Sequence, residues 1–157
     1  MRSSHVLSAY SARAEEYAAA LGRMAATAEA DRELIARWAR GCRGRIVDAG
    51  CGPGHWTAYL HDLGLEVEGV DPVERFVKIA REQHPHVTYR QGSFAGLPAG
   101  SYGAVLAWYS LIHLPPQNLS ETLASLRDSL MPQGDLLVGF FAGDRIEEFP
   151  HAVAPAY

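Results

Sequence analysis

Apolar residues in this chain change their period several times, and each change marks the border of an element. From Ala9 to Leu21 and from Glu29 to Arg40 they recur at helical spacing. Leu34, Ile35 and Trp38 share one face of the second stretch before Gly41 stops it. Arg45 to Ala49 is an apolar run of strand length, after which Trp56, Leu60 and Leu63 return at helical spacing and end at Gly64. The run Leu65 to Val70 closes on Asp71 and leads into a helix from Pro72 to Gln83. Two more strands are expected at Val87 to Gln91 and Gly103 to Tyr109. A helix from Gln117 to Leu130 follows, striped by Leu119, Leu123, Leu126 and Leu130, and Asp135 to Ala142 reads as the last strand. Helices and strands alternating in this way build a parallel sheet covered on both faces. Right-handed crossovers leave few topologies, and the order 3-2-1-4-5 is expected.

Chemistry enters where the first strand meets its helix. Gly50, Gly52 and Gly54 alternate in the stretch RIVDAGCGPGHW, Arg45 to Trp56. Glycine lets the backbone turn sharply and lets a ligand lie against the peptide plane, while the next helix aims its free N–H groups at that ligand. A lone glycine pair at a strand end is more often an ordinary turn. Asp71 argues otherwise, because an acid about twenty residues past such a loop, at the tip of the next strand, can take both hydroxyls of a ribose. It also reads as an N-cap ahead of Pro72, and the two roles are compatible. A dinucleotide loop, GxGxxG, would need its third glycine at position 55, which is His55.

Asp48 followed by this GxGxG resembles motif I of the class I S-adenosylmethionine-dependent methyltransferases. The texts LPAGSYGAVLAWYSLIHL, from Leu97, and LRDSLMPQGDLLVGFF, from Leu126, resemble that family's block of strand four, helix and strand five. The resemblance covers nearly the whole chain. It implies a Rossmann-like doubly wound α/β fold, S-adenosylmethionine as cofactor with S-adenosylhomocysteine as product, and a small-molecule methyl acceptor. Carried over by residue, it implies that the backbones of Gly50, Cys51 and Gly52 face the methionine part, that Asp48 attracts its ammonium, and that Asp71 takes the ribose. Pro72 would lie against the adenine with Ser93 and Phe94 at its edge, Ser93 standing where many relatives carry an acid. Trp108 and Tyr109 would wall the methyl group. Tyr10 and Tyr17 resemble a mobile N-terminal cover, with surface packing as the equal alternative. Trp56 reads as core, and Asp48 has a plainer alternative in satisfying loop N–H groups. His113 is the one candidate catalytic residue, a general base for a hydroxyl acceptor, with a packing role as the favoured alternative.

The chain departs from the family pattern at its end, where two further strands normally follow strand five. LLVGFFA is then left as an apolar edge, so the native chain is expected to be longer, or to form a homodimer through that edge. QGD, Gln133 to Asp135, stands in place of the usual double glycine and reads as structural.

At 157 residues and 48% hydrophobic, the chain reads as one domain (1–157), with N-terminal helices up to residue 40 as a partial cover and a core over 45–143. A net charge of -4 gives no footprint for nucleic acid. No apolar run is long enough to cross a membrane and no signal-peptide core is present, so a cytoplasmic setting is the default. Cys42 and Cys51 suggest no disulfide framework, and Lys78 is the only lysine available for Schiff-base chemistry. The [DNS]PP[YFW] motif of base and glutamine methylation is missing after strand four, where WYSLIH stands instead. From Val105 to Asn118 there is no carboxylate to hold magnesium, and the His84–His86 pair reads as a solvated loop, so no metal is expected. Two alternatives stay open, a cofactor-binding module without activity and an NAD-dependent oxidoreductase.

Overall fold

Strands β1 (Ile46–Ala49), β2 (Val67–Asp71), β3 (Thr88–Gln91), β4 (Tyr102–Trp108) and β5 (Leu130–Gly139) form one sheet in the order β3-β2-β1-β4-β5, with every neighbouring pair parallel. This is the expected order. The computed structural model describes residues 2–145, 147–151 and 154–157. Six helices surround the sheet among these residues: α1 (Arg2–Ala12), α2 (Ala14–Leu21), α3 (Glu29–Gly41), α4 (His55–Asp62), α5 (Glu74–Gln83) and α6 (Pro116–Ser129).

The period-two alternation of the strands divides the core into two layers. Val47, Ala49, Val105, Ala107, Leu136 and Val138 pack on the α6 side around Leu126. Ile46, Ala104, Leu106 and Leu137 pack on the other side against Ile35 and Ala39 of α3 and Trp56 and Leu60 of α4. α1 and α2 dock at the C-terminal end of β2, where Ala14 and Ala18 meet Val73, Phe76 and Ile79.

Three of the differences from the sequence reading bear on the site or on the sheet edge. The single helix expected over Ala9 to Leu21 is two helices, broken at Arg13, whose N–H is shared between the carbonyls of Ala9 and Tyr10. The break lets Tyr10 and Tyr17 reach the same ring, Phe76, from consecutive helices. α5 begins at Glu74 rather than Pro72, because Val73 is extended and acts as the N-cap, its N–H held by the Asp71 carboxylate. β5 is shifted toward the N-terminus relative to Asp135–Ala142. Tyr102 pairs with Leu130 and Ala104 with Asp135, so the residues between form a bulge with Gln133 in the left-handed region, at φ 64°. At the other end β4 stops at Trp108, opposite Gly139, and Phe140 beyond it finds no partner strand and is 64% exposed.

β5 pairs with β4 alone among the described residues. The segment after it folds back: Phe149 and Ala156 form an antiparallel bridge, and the N–H of Tyr157 donates to the carbonyl of Ile112. No helix among the described residues is long and apolar enough to cross a membrane.

Candidate functional site

The loop after β1 is held from two sides. The N–H groups of Gly50 and Cys51 both donate to the carbonyl of Val70, at 2.7 and 3.1 Å, which ties the loop to the end of β2. Asp71 completes the tie, its Oδ2 accepting the Gly52 N–H and its Oδ1 the Val73 N–H, each at 2.8 Å. The glycines are required for different reasons. At Gly50, φ is 79° and an added Cβ would lie 2.3 Å from that of Ser110, so the end of β4 presses directly on the loop. At Gly52, φ is 53° and an added Cβ would meet nothing within 4 Å, because the backbone there faces open space.

Two acids lie under this loop. Asp48 is 2% exposed and its Oδ2 accepts from the Thr57 hydroxyl at 2.7 Å, not from loop N–H groups as the plainer sequence reading had it. Burial pushes its carboxyl up to about 7, a shift eased by the Thr57 hydrogen bond and reinforced by Asp71. Asp71 is raised to about 6 by burial, against the lowering effect of its two N–H donors. Burial and the same two acids hold the Cys51 thiol well above its ordinary value, which leaves it unreactive.

The loop forms the floor of a cavity of about 540 Å³ at the C-terminal end of the sheet. Every candidate site residue of the sequence reading lines it. Asp48, Gly50, Cys51 and Gly52 lie on the floor, Asp71, Pro72, Ser93 and Phe94 at one end, and Trp108, Tyr109, His113 and Tyr10 at the other and above. Tyr109, the residue after β4, has φ at 53°, a conformation that costs a non-glycine residue about 1–2 kcal/mol and is characteristic of functional sites. Trp56 belongs both to the core and to the cavity wall.

Two properties of the wall indicate what it holds. Among the described residues, four buried side-chain polar atoms lack a hydrogen-bond partner, and three of them, His55 Nδ1, Ser110 Oγ and His151 Nδ1, belong to cavity-lining residues. An unsatisfied buried polar atom costs about 1–3 kcal/mol, so these three atoms can each gain from a polar ligand. The wall also carries Asp31, Asp48 and Asp71 with no lysine or arginine, which favours a cationic ligand.

Aromatic rings follow one another around the rim. Trp108 meets Tyr109, Tyr109 meets Phe141, Phe141 meets His151, His151 meets His113 and His113 meets Tyr10, all with centroids 5.0 to 5.8 Å apart. His113 joins the two ends of the chain across this rim. Its Nδ1 lies 2.7 Å from the Pro155 carbonyl, which can only accept, so Nδ1 carries the proton. Its Nε2 then accepts from the Tyr10 hydroxyl at 2.6 Å. Burial lowers the basicity of His113 and raises the Tyr10 hydroxyl well above its ordinary value.

Sequence reasoning missed Ser110, His151 and Phe141 as parts of the wall. Ser110 could have been found as the residue next to Trp108 and Tyr109. The residues after β5 have neither period and so gave no sign of folding back over the cavity.

Residues 46–134, more than half of the chain, match the family described as methyltransferase domain. Among curated proteins, the malonyl-[acyl-carrier protein] O-methyltransferase of Enterobacter lignolyticus is 32% identical over 108 residues, 69% of this chain and 43% of that protein. The ubiquinone biosynthesis O-methyltransferase of Xanthomonas campestris pv. campestris is 35% identical over 102 residues, 60% of this chain and 41% of that protein. The chain thus spans less than half the length of these two relatives. The TehB-like S-adenosylmethionine-dependent methyltransferase of Corynebacterium glutamicum superposes with a TM-score of 0.71 at 25% identity, covering 84% of this chain and 74% of that structure. The glycine loop, the acid at the tip of β2 and the strand order agree with these matches, and the chain belongs to the class I S-adenosylmethionine-dependent methyltransferases.

Proposed function

We propose that this chain carries the cofactor site of a methyltransferase whose acceptor is a neutral, largely apolar small molecule methylated on oxygen. The observation that carries the cofactor half of this reading is the pairing of Asp71 with the Gly52 backbone at the edge of an acidic cavity. Each carboxylate oxygen of Asp71 uses one lone pair on a backbone N–H and keeps another for a ribose hydroxyl. Asp48, once ionised, favours the cofactor's ammonium, and the open face of Gly52 leaves room for the methionine part. Pro72 and Phe94 offer apolar surface to the adenine. S-adenosylmethionine, when bound, supplies a methyl group already activated by its sulfonium. The residues therefore act by holding two molecules in line and keeping water out, a contribution of about 7–11 kcal/mol in well-oriented systems.

The acceptor half rests on the wall opposite the loop. No lysine or arginine lines the cavity to pair with an anionic acceptor, whereas the rings of Trp108, Tyr109, Phe141 and Tyr10 favour a planar or apolar one. The names of two relatives, both O-methyltransferases, support oxygen as the accepting atom. His113 has both ring nitrogens engaged and acts in this reading as a clamp on the cover, not as the base.

Calorimetric titration with S-adenosylmethionine tests the cofactor half. Asp71→Ala should weaken binding at least tenfold, since charge-assisted hydrogen bonds are worth about 1.5–3 kcal/mol each. Asp71→Asn retains an acceptor for the Gly52 N–H and separates the loss of charge from loss of the loop. Unchanged affinity in both variants, with only about 1 kcal/mol of stability lost, would reduce Asp71 to a cap.

A further inference from the structure

Away from the cavity, the described residues include one group of three metal-ligating side chains that the sequence keeps apart. His61 and Asp62 end α4, and His86 follows α5 in the connection to β3. The sequence reading treated His86 with His84 as a solvated pair lacking further ligands. The fold supplies them.

Asp62 Oδ1 stands 3.7 Å from His61 Nδ1 and 3.5 Å from His86 Nε2, so a single oxygen faces both nitrogens. The two imidazoles meet edge to face with centroids 5.2 Å apart, and the three donor atoms all lie within 4.8 Å of one another. The fourth buried polar atom without a partner is here: His61 Nδ1 is shielded from solvent and makes no hydrogen bond. A nitrogen so placed gains from a ligand that approaches from the Asp62 side.

The separations suit a small divalent ion. With bonds of about 2.0–2.1 Å, a tetrahedral centre spaces its donors about 3.3 Å apart, within a few tenths of an ångström of both measured distances. The remaining nitrogen–nitrogen pair closes by a turn of His86, whose side chain is 54% exposed on a connecting segment. Two imidazole donors beside a single carboxylate select zinc-class ions over magnesium or calcium, which take oxygen donors. We propose that His61, Asp62 and His86 form a surface site for a zinc-class divalent cation, with the fourth position left to water. His61 lies about 9 Å along α4 from His55, at the end remote from the cavity. The ion would therefore tie the end of α4 to the entry of β3 and take no part in methyl transfer. This inference does not depend on the acceptor or the cofactor.

The test is equilibrium dialysis of the chelator-treated chain against zinc chloride at pH 7.5, with a thermal melt at each concentration. One saturable equivalent is expected, with a rise in Tm on saturation. His61→Ala, Asp62→Asn and His86→Gln should each weaken binding at least about tenfold, the lower end of what losing even an outer-shell partner costs a metal site, and abolish the rise in Tm. His84→Ala should leave affinity unchanged. Circular dichroism of the metal-free variants checks that they fold, and cobalt substitution gives a visible spectrum that reads the site without any melt. Binding weaker than millimolar, or binding that survives both His61→Ala and His86→Gln, would overturn the assignment. The cluster would then be an ion-pair group around Asp62.

Discussion

Asp48→Asn should make the protein more stable at alkaline pH while weakening its hold on the cofactor. The carboxyl titrates near 7 in the folded chain and near its ordinary value, about 3.9, in the unfolded one. A raised pKa in a folded acid means that the native state binds the extra proton, so its stability falls as pH rises. The loss begins near pH 4, runs through pH 7 and is complete above it. At 1.36 kcal/mol per unit, the full window is worth about 4 kcal/mol, of which about 3 kcal/mol lies between pH 4.5 and pH 8. Asparagine does not titrate, and its oxygen can still accept the Thr57 hydroxyl. Its amide N–H groups arrive without partners, a cost of about 1–3 kcal/mol that is the same at both pH values. Asp71 titrates in both proteins and largely cancels in the comparison. Urea unfolding at pH 4.5 and pH 8 therefore should show the variant at or below wild type in acid and above it in base, the difference moving by about 3 kcal/mol. A difference constant to within about 0.5 kcal/mol would mean that Asp48 is ionised at its usual pH, and the reasoning from its burial would be wrong.

Other outcomes can be checked with simpler measurements. Glu68 is a buried acid away from the cavity, paired with Arg45 at 2.7 Å, near Arg90, and hydrogen-bonded by the Tyr102 hydroxyl, so Tyr102→Phe should cost about 1–3 kcal/mol in urea unfolding without changing cofactor affinity. Gly50→Ala and Gly52→Ala should separate stability from binding. The first lowers Tm strongly through its collision with Ser110, while the second costs about 1–2 kcal/mol of left-handed strain but greatly weakens titration with S-adenosylmethionine. His113→Gln should accelerate amide exchange in α1 and in the segment around Ala156 together, with exchange in β1 unchanged; acceleration at only one end would show that the two are not joined through this ring.

The parts of this fold that were legible in the sequence are those where local pattern and tertiary demand agree. Gly50, Gly52 and Asp71 announced the loop because a turn, a close approach and a strand-end acid each need a particular residue type. The stripe of Leu119, Leu123, Leu126 and Leu130 announced α6 because a helix covering a sheet must be apolar on one side. The end of β5 was misread because the apolar run continues through Phe140 and Phe141, whereas a strand lasts only as long as its neighbour, and β4 stops at Trp108. The start of β5 was hidden by the bulge around Gln133, on whose N-terminal side Leu130 pairs with Tyr102 in a different register. The His84–His86 pair shows no further ligand along the chain, and His61 comes beside His86 only when α4 and α5 pack on the same part of the sheet. Asp71 shows the opposite case, since both meanings of its position, cap and loop anchor, are satisfied at once by its two oxygens.

The link through His113 has a direction that depends on the ring's charge. Nε2 of the neutral ring owns one lone pair and receives the Tyr10 hydroxyl; once that lone pair takes a proton, the bond persists only if the hydroxyl turns and accepts from Nε2–H. Protonation also places a charge in a site whose burial lowers the ring's basicity below the ordinary 6.5. The sign is that of a depressed histidine: the stabilisation from this link is fully present above about 6.5 and is lost as the medium is acidified through the lowered value. Acid thus loosens the hold of the N-terminal helix on the rim, and the residence time of whatever lies beneath should shorten as pH falls.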